Sequence, residues 1–177
     1  MLKVQFKRLG IHLLSILWIF ILSSFVNVYA LDINNKDIIG TSEKVVILPG
    51  EISFKAKIDT GADNSSMHAT NIDFFSLSDK KFVRFVTENL SGESINLELP
   101  LLRVARIKRH KQESLKRAVV VLGICLGSVY KKVEVTLVDR SKFKKRFLIG
   151  ASFLKENFIV DVSKAYTNAP SCNSIAS

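Results

Sequence analysis

From Val45 onward the apolar residues come in short runs with turn signals at close spacing. That rhythm predicts an all-β barrel or sandwich. Val45–Leu48 is apolar and stops at the turn pair Pro49-Gly50. Ile52, Phe54, Ala56 and Ile58 alternate with Ser53, Lys55 and Lys57, the period of a half-buried strand. Phe82–Thr87, Ile95–Leu99 (stopped by Pro100), Val119–Leu126, Val133–Leu137, Arg146–Ile149 and Phe158–Val162 read as further strands. Ala151–Asn157 is the one helical stretch, with Phe153 and Leu154 on one side. Met67, Phe74 and Phe75 read as core.

The opening of the chain has a different character. Lys3, Lys7 and Arg8 precede an apolar run from Leu9 to Val28, closed by Val28-Tyr29-Ala30. This is the three-part pattern of a secretory signal peptide, 1–30. The run also approaches the ~20 residues of a membrane span, so an uncleaved anchor through 9–28 is the alternative. Either reading places the rest of the chain outside the cytoplasm, periplasmic or secreted. Residues 31–44 read as a polar leader, 45–166 as the folded domain and 167–177 as a polar tail. Two cysteines are too few for a disulfide-dense scaffold, but outside the cytoplasm Cys125 and Cys172 have two readings, a bridge or two separate thiols.

Several function classes fall away. There is no GxxxxGK[ST] phosphate loop, and the three histidines, His12, His68 and His110, form no HExxH. No His or Cys cluster surrounds His68, so neither a metal nor any other cofactor is expected. The net charge of +10 is concentrated in Arg103–Arg117, where seven Lys or Arg stand against Glu113 alone. Such a stretch predicts an exposed loop or hairpin tip. It is either a solvated surface or a basic lid, with Arg106, Lys108 and Arg109 drawing in an acidic peptide or an anionic membrane surface. Nucleic acid is not expected, because no aromatic residue interrupts the run to stack on bases.

The chemistry concentrates where the alternating strand ends, at Ile58-Asp59-Thr60-Gly61-Ala62-Asp63. A carboxylate straight after a buried strand is partly desolvated, which predicts a raised pKa for Asp59. The plain alternative is a strand-ending Asx-turn. The wider context resembles the retropepsin-like aspartic proteases, in particular the bacterial branch often labelled "putative ATP-dependent zinc protease". Ala56-Lys57-Ile58-Asp59-Thr60-Gly61-Ala62 matches that branch's A-x-I-D-T-G-A, and Ser65-Ser66-Met67-His68-Ala69 matches its S-S-x-H-A. Phe82-Val83-Arg84-Phe85, Glu134-Val135-Thr136-Leu137, Phe147-Leu148-Ile149-Gly150 with Phe153-Leu154, and Phe158-Ile159-Val160-Asp161-Val162-Ser163 follow in the family's order.

The resemblance implies a closed β-barrel with one short C-terminal helix, and an exported aspartic endopeptidase that is active as a homodimer. Each copy would contribute Asp59 as catalytic carboxylate, Thr60 to bond across the two-fold axis and Gly61 for the tight loop. Ala62 and Asp63 would contact substrate. Ile149-Gly150 would pack beneath the loop, and His68 would support it by bonding backbone. The substrate would be a peptide or protein, and Arg103–Arg117 falls where such enzymes carry a mobile flap. The family's Arg after the second glycine is Ala151 here, which leaves Asp63 without its usual partner. A second reading follows from that departure: a catalytically weak or inactive peptide-binding module of the cell envelope.

Overall fold

A computed structural model describes residues 35–109 and 112–172, with the side chains of 107–114 outside the description. The signal or anchor segment 1–30 and the end of the polar tail therefore lie outside the described residues. The described residues form twelve strands and one short helix. In chain order these are β1 (Asp37–Ile39), β2 (Ser42–Leu48), β3 (Ser53–Ile58), β4 (Ser65–His68), β5 (Thr70–Leu77), β6 (Lys80–Glu88), β7 (Ser94–Pro100), β8 (Arg103–Arg109), β9 (Gln112–Leu126), β10 (Val129–Val138), β11 (Phe147–Ile149), α1 (Ala151–Leu154) and β12 (Phe158–Val160).

Six strands close into a barrel in the order β10-β4-β11-β3-β2-β9, and an antiparallel β9–β10 pairing completes the ring. The alternation read along β3 is obeyed: Phe54, Ala56 and Ile58 point inward and Ser53, Lys55 and Lys57 outward. Phe54 and Phe147 meet in the core with ring centroids 5.4 Å apart, beside fully buried Ile47, Met67, Leu122, Ile124 and Leu137. The β2–β3 turn is the expected Pro49-Gly50 pair, and Gly50 has φ +105, a conformation that favours glycine. The closed all-β barrel expected for a retropepsin-like protein is the architecture observed.

β5, β6 and β7 make a separate antiparallel sheet laid on the barrel. Val83, Phe85, Leu97 and Leu99 face the core, and the Thr87 hydroxyl donates to the His68 carbonyl at 2.7 Å. β5 lies at the edge of this sheet and none of its residues is fully buried. Phe74 is consequently 52% exposed, against the expectation that it belongs to the core, whereas Met67 is fully buried. β8 pairs with the first part of β9 and forms a hairpin beyond the stretch of β9 that the barrel uses.

The segment expected as a leader is structured from Asp37, because β1 pairs in parallel with β12 and β2 begins at Ser42. The polar tail is also part of the body. Thr167 N–H donates to Glu43 Oε1, and Ser171 N–H to Gly127 O. Cys125 and Cys172 are joined by a disulfide, with Cα atoms 6.0 Å apart. The helix is shorter than the spacing predicts, because Lys155 is already extended at ψ 145 and Glu156 has φ 78.

Candidate active site

β3 and β11 lie side by side and run parallel, with Ile58 in register with Ile149. Parallel neighbours end at the same edge of a sheet, so the loops that follow them, beginning at Asp59 and at Gly150, emerge together. Asp59 N–H donates to Ile149 O at 3.0 Å. Ala151 N–H donates to Ala62 O at 2.7 Å, and Ser152 N–H to Asp63 O at 2.9 Å. Gly150 N–H donates to Ser65 Oγ at 3.2 Å. A Cβ at Gly150 would lie 2.6 Å from both the carbonyl carbon and the oxygen of Asn64. Only glycine permits this approach, and Ile149-Gly150 sit directly against the Asp59 loop.

The Asp59 carboxylate points outward, 25% exposed. Its Oδ1 accepts Gly61 N–H at 3.2 Å and its Oδ2 accepts Lys57 Nζ at 2.9 Å. The Lys57 hydrogen bond holds the carboxyl below its ordinary 3.8. Burial opposes it, and the Gly61 and Ala62 N–H groups and the Lys57 charge add to it. This reverses the raised value expected from burial alone: the lysine outweighs the partial desolvation. Lys57 was not singled out from the sequence. Its signal was its place two residues before Asp59, since residues two apart on a strand share a side.

Thr60, Gly61 and Asp63 are exposed and Ala62 is half-buried. Among the described residues the Asp63 side chain makes no hydrogen bond or ion pair. Among the described residues nothing demands glycine at 61, where a Cβ would meet only Asp59 Oδ1 at an ordinary 3.5 Å. A shallow depression beside Thr60 is walled by Ala151, Leu154, Lys155, Phe158 and Val160.

His68 is buried at the end of β4 away from the Asp59 loop, where its N–H donates to Arg146 O at 2.7 Å, so it supports the β10–β11 connection and not the loop itself. Its Nδ1 accepts Arg140 N–H at 2.9 Å, and Arg146 Nη1 lies 3.0 Å from its Nε2. Burial, then the Arg146 charge, keep the ring below its ordinary 6.5, with Asp139 and Glu88 opposing. The Nδ1 lone pair is therefore taken by a backbone N–H, which leaves the neutral ring its proton on Nε2. Among the described residues no three His, Cys, Asp or Glu side chains group as metal ligands.

A second basic feature flanks the loop. Arg140, nearly buried, donates from Nη1 to Ser66 Oγ at 3.0 Å and from Nε to Lys145 O at 3.2 Å. Burial and the charge of Arg117 hold its guanidinium below the ordinary 12.5, and the Asp59 charge opposes them. Arg117, Arg140, Leu115 and Phe143 line a cavity of about 340 Å³ under the β8–β9 hairpin. Arg140 was not anticipated, because a lone arginine after a strand carries no pattern. Arg106 is exposed on β8, whereas the side chains of Lys108 and Arg109 lie outside the described residues.

A solved structure from Legionella pneumophila, a protein of unknown function, shares this fold with a TM-score of 0.65. It is 29% identical, and the match covers 73% of this chain and 96% of that one. Two curated relatives named probable alpha-L-glutamate ligase, from Shewanella pealeana and Shewanella halifaxensis, are 33% and 32% identical over 138 residues. The match takes in 75% of this chain but only 30% of either relative, so the chain spans under a third of their length. A family model described as retropepsin-like aspartic endopeptidase RimB matches residues 38–171. With the motif loop, the parallel β3–β11 pair and the barrel all in place, the chain belongs to the RimB-like family of retropepsin-like proteins.

Proposed function

We propose that this protein is an aspartic endopeptidase that works as a homodimer. The observation that carries the reading is the Asp59-Thr60-Gly61 loop, set on the paired ends of β3 and β11 with its carboxylate facing outward. One chain supplies one such carboxylate, so the second comes from a twin across a two-fold axis. Two carboxylates that close share a proton. The ionised one takes a proton from the water between them while the protonated one polarises the scissile carbonyl. Exposed Thr60, the mostly apolar depression beside it and a glycine at 61 that the described residues do not require all support close approach by a second copy. In that dimer Thr60 bonds across the axis, and Ala62 and Asp63 face the substrate backbone.

The β8–β9 hairpin, with Arg106, Lys108 and Arg109, acts as a flap and favours acidic peptides. Glutamate, which appears in the relatives' name, is an acidic residue of the kind such a flap would draw. The basic-then-apolar opening of the chain supports export, by a cleaved signal or an anchor through 9–28. The second reading, a peptide-binding module with little turnover, is favoured by Ala151 standing where the family carries arginine.

The test is peptide cleavage by the purified protein with a pepstatin-type inhibitor and an Asp59→Asn control. Asp59→Asn is expected to lose about three orders of magnitude or more in rate. Equal cleavage by both proteins would falsify the peptidase reading.

A further inference from the structure

We propose that Lys57 is a specificity-determining residue: it latches Asp59 in the empty enzyme and is drawn off by an acidic side chain next to the scissile bond of a bound peptide. This rests on the peptidase reading above and adds to it a named residue and a place in the substrate.

Both oxygens of Asp59 are engaged, Oδ1 by the Gly61 N–H of its own loop and Oδ2 by Lys57 Nζ at 2.9 Å. The loop bond can persist during catalysis, because it fixes the carboxylate. The lysine bond occupies the other oxygen, and a carboxylate that holds water and shares a proton with a twin needs an oxygen free of a competing cation. Lys57 is 55% exposed and carries its charge on a flexible four-carbon stem, so the bond is easily exchanged. Arg140, whose charge also senses Asp59, is committed elsewhere, to Ser66 Oγ and Lys145 O. Among the described residues Lys57 is the cation that touches Asp59. A peptide with Glu or Asp flanking the scissile bond offers Lys57 a second carboxylate. The ammonium moves to it, Oδ2 is released, and the substrate gains an ion pair in the same movement. A neutral peptide leaves the latch closed.

The experiment compares two peptides that differ only in Glu or Gln at the residues flanking the scissile bond. Wild type, Lys57→Met and Lys57→Arg are assayed, with folding checked by near-ultraviolet circular dichroism. Wild type is expected to favour the Glu peptide about tenfold in kcat/KM. Lys57→Met is expected to erase that preference, partly by raising kcat on the Gln peptide, and Lys57→Arg to restore it. A preference that survives Lys57→Met overturns the proposal. A second arm measures binding of the same peptides by fluorescence anisotropy to Asp59→Asn and to Asp59→Asn/Lys57→Met. It reads the lysine–carboxylate contact without turnover. Wild-type cleavage no better than Asp59→Asn removes the peptidase reading. An unchanged Glu-to-Gln binding ratio in the double variant removes the role of Lys57 whether or not cleavage occurs.

Discussion

Asp59 and Glu43 are both held ionised, by opposite means. Asp59 is partly exposed and answered by one lysine. Glu43 is fully buried and answered by N–H and O–H donors alone. Its Oε1 accepts Gly40 N–H at 2.7 Å, Thr167 N–H at 3.1 Å and the Thr167 hydroxyl at 2.7 Å, and its Oε2 accepts Asn168 N–H at 3.3 Å. Burial pushes its pKa up, but the bonds from Gly40, Thr167 and Asn168 together bring it below 4.5. A folded value below the unfolded one means that the stabilisation is whole above 4.5 and drains away as pH falls through the folded value. The urea midpoint of wild type should therefore fall on acidification below pH 4.5. Glu43→Gln turns an amide NH₂ toward donors and should cost about 1–3 kcal/mol at neutral pH. The difference between the two proteins should then shrink as pH drops, and a difference that grows would contradict the ionised clasp. Asp59 was legible because its neighbours in sequence form a motif. Glu43 was not, because two of its partners lie more than a hundred residues away, in what reads as a polar tail.

At the level of elements, legibility followed the regularity of burial. β3 alternates cleanly and was read almost to its ends. β5 was missed: Asn71 has φ 50, the register shifts between Thr70 and Asp73, and adjacent Phe74 and Phe75 break any period of two. The short β4 was missed as well, because Ser65–His68 has no apolar run and owes its burial to β10 and β11 on either side. The basic stretch reads from its charge as an exposed loop or hairpin tip, whereas β8 and β9 pair from Arg103↔Val119 to Arg109↔Gln112, so most of it is strand. The proposed flap role makes a prediction about selectivity. Replacing Arg106, Lys108, Arg109 and Lys111 with Ser should lower kcat/KM for acidic peptides by about tenfold or more while affecting neutral ones much less. The effect should weaken in high salt. Unchanged rates on both peptide classes would count against the flap.

For the molecule as a whole, the proposed mechanism makes the site half of a symmetric dimer. Sedimentation equilibrium should show a reversible dimer whose dissociation constant tracks the concentration dependence of specific activity. Activity per chain that stays constant down to concentrations where only monomer sediments would rule out the shared-carboxylate mechanism. Ala151 stands beside the depression next to Thr60, and its neighbour Ser152 bonds the backbone of Asp63, whose own carboxylate is exposed. Ala151→Arg supplies a cation at that spot and should tighten the dimer by about tenfold. The tail and the disulfide act at this scale too. They fasten residues 164–172 across β2 and the Gly127 turn, so the body is closed by its last residues as well as by its barrel.

The linear chain determined what depends on near neighbours. The period of the strands, the Asp59-Thr60-Gly61 motif, the second glycine and the density of positive charge are all local patterns, and local patterns survive without a fold. The tertiary structure decided what depends on distant segments meeting. It aligned β3 with β11, folded the tail onto Glu43, closed Cys125 onto Cys172 and placed Arg140 in reach of the Asp59 field. It also set the sign of the Asp59 shift. Burial and an ion pair pull a carboxyl in opposite directions, and only a distance decides between them.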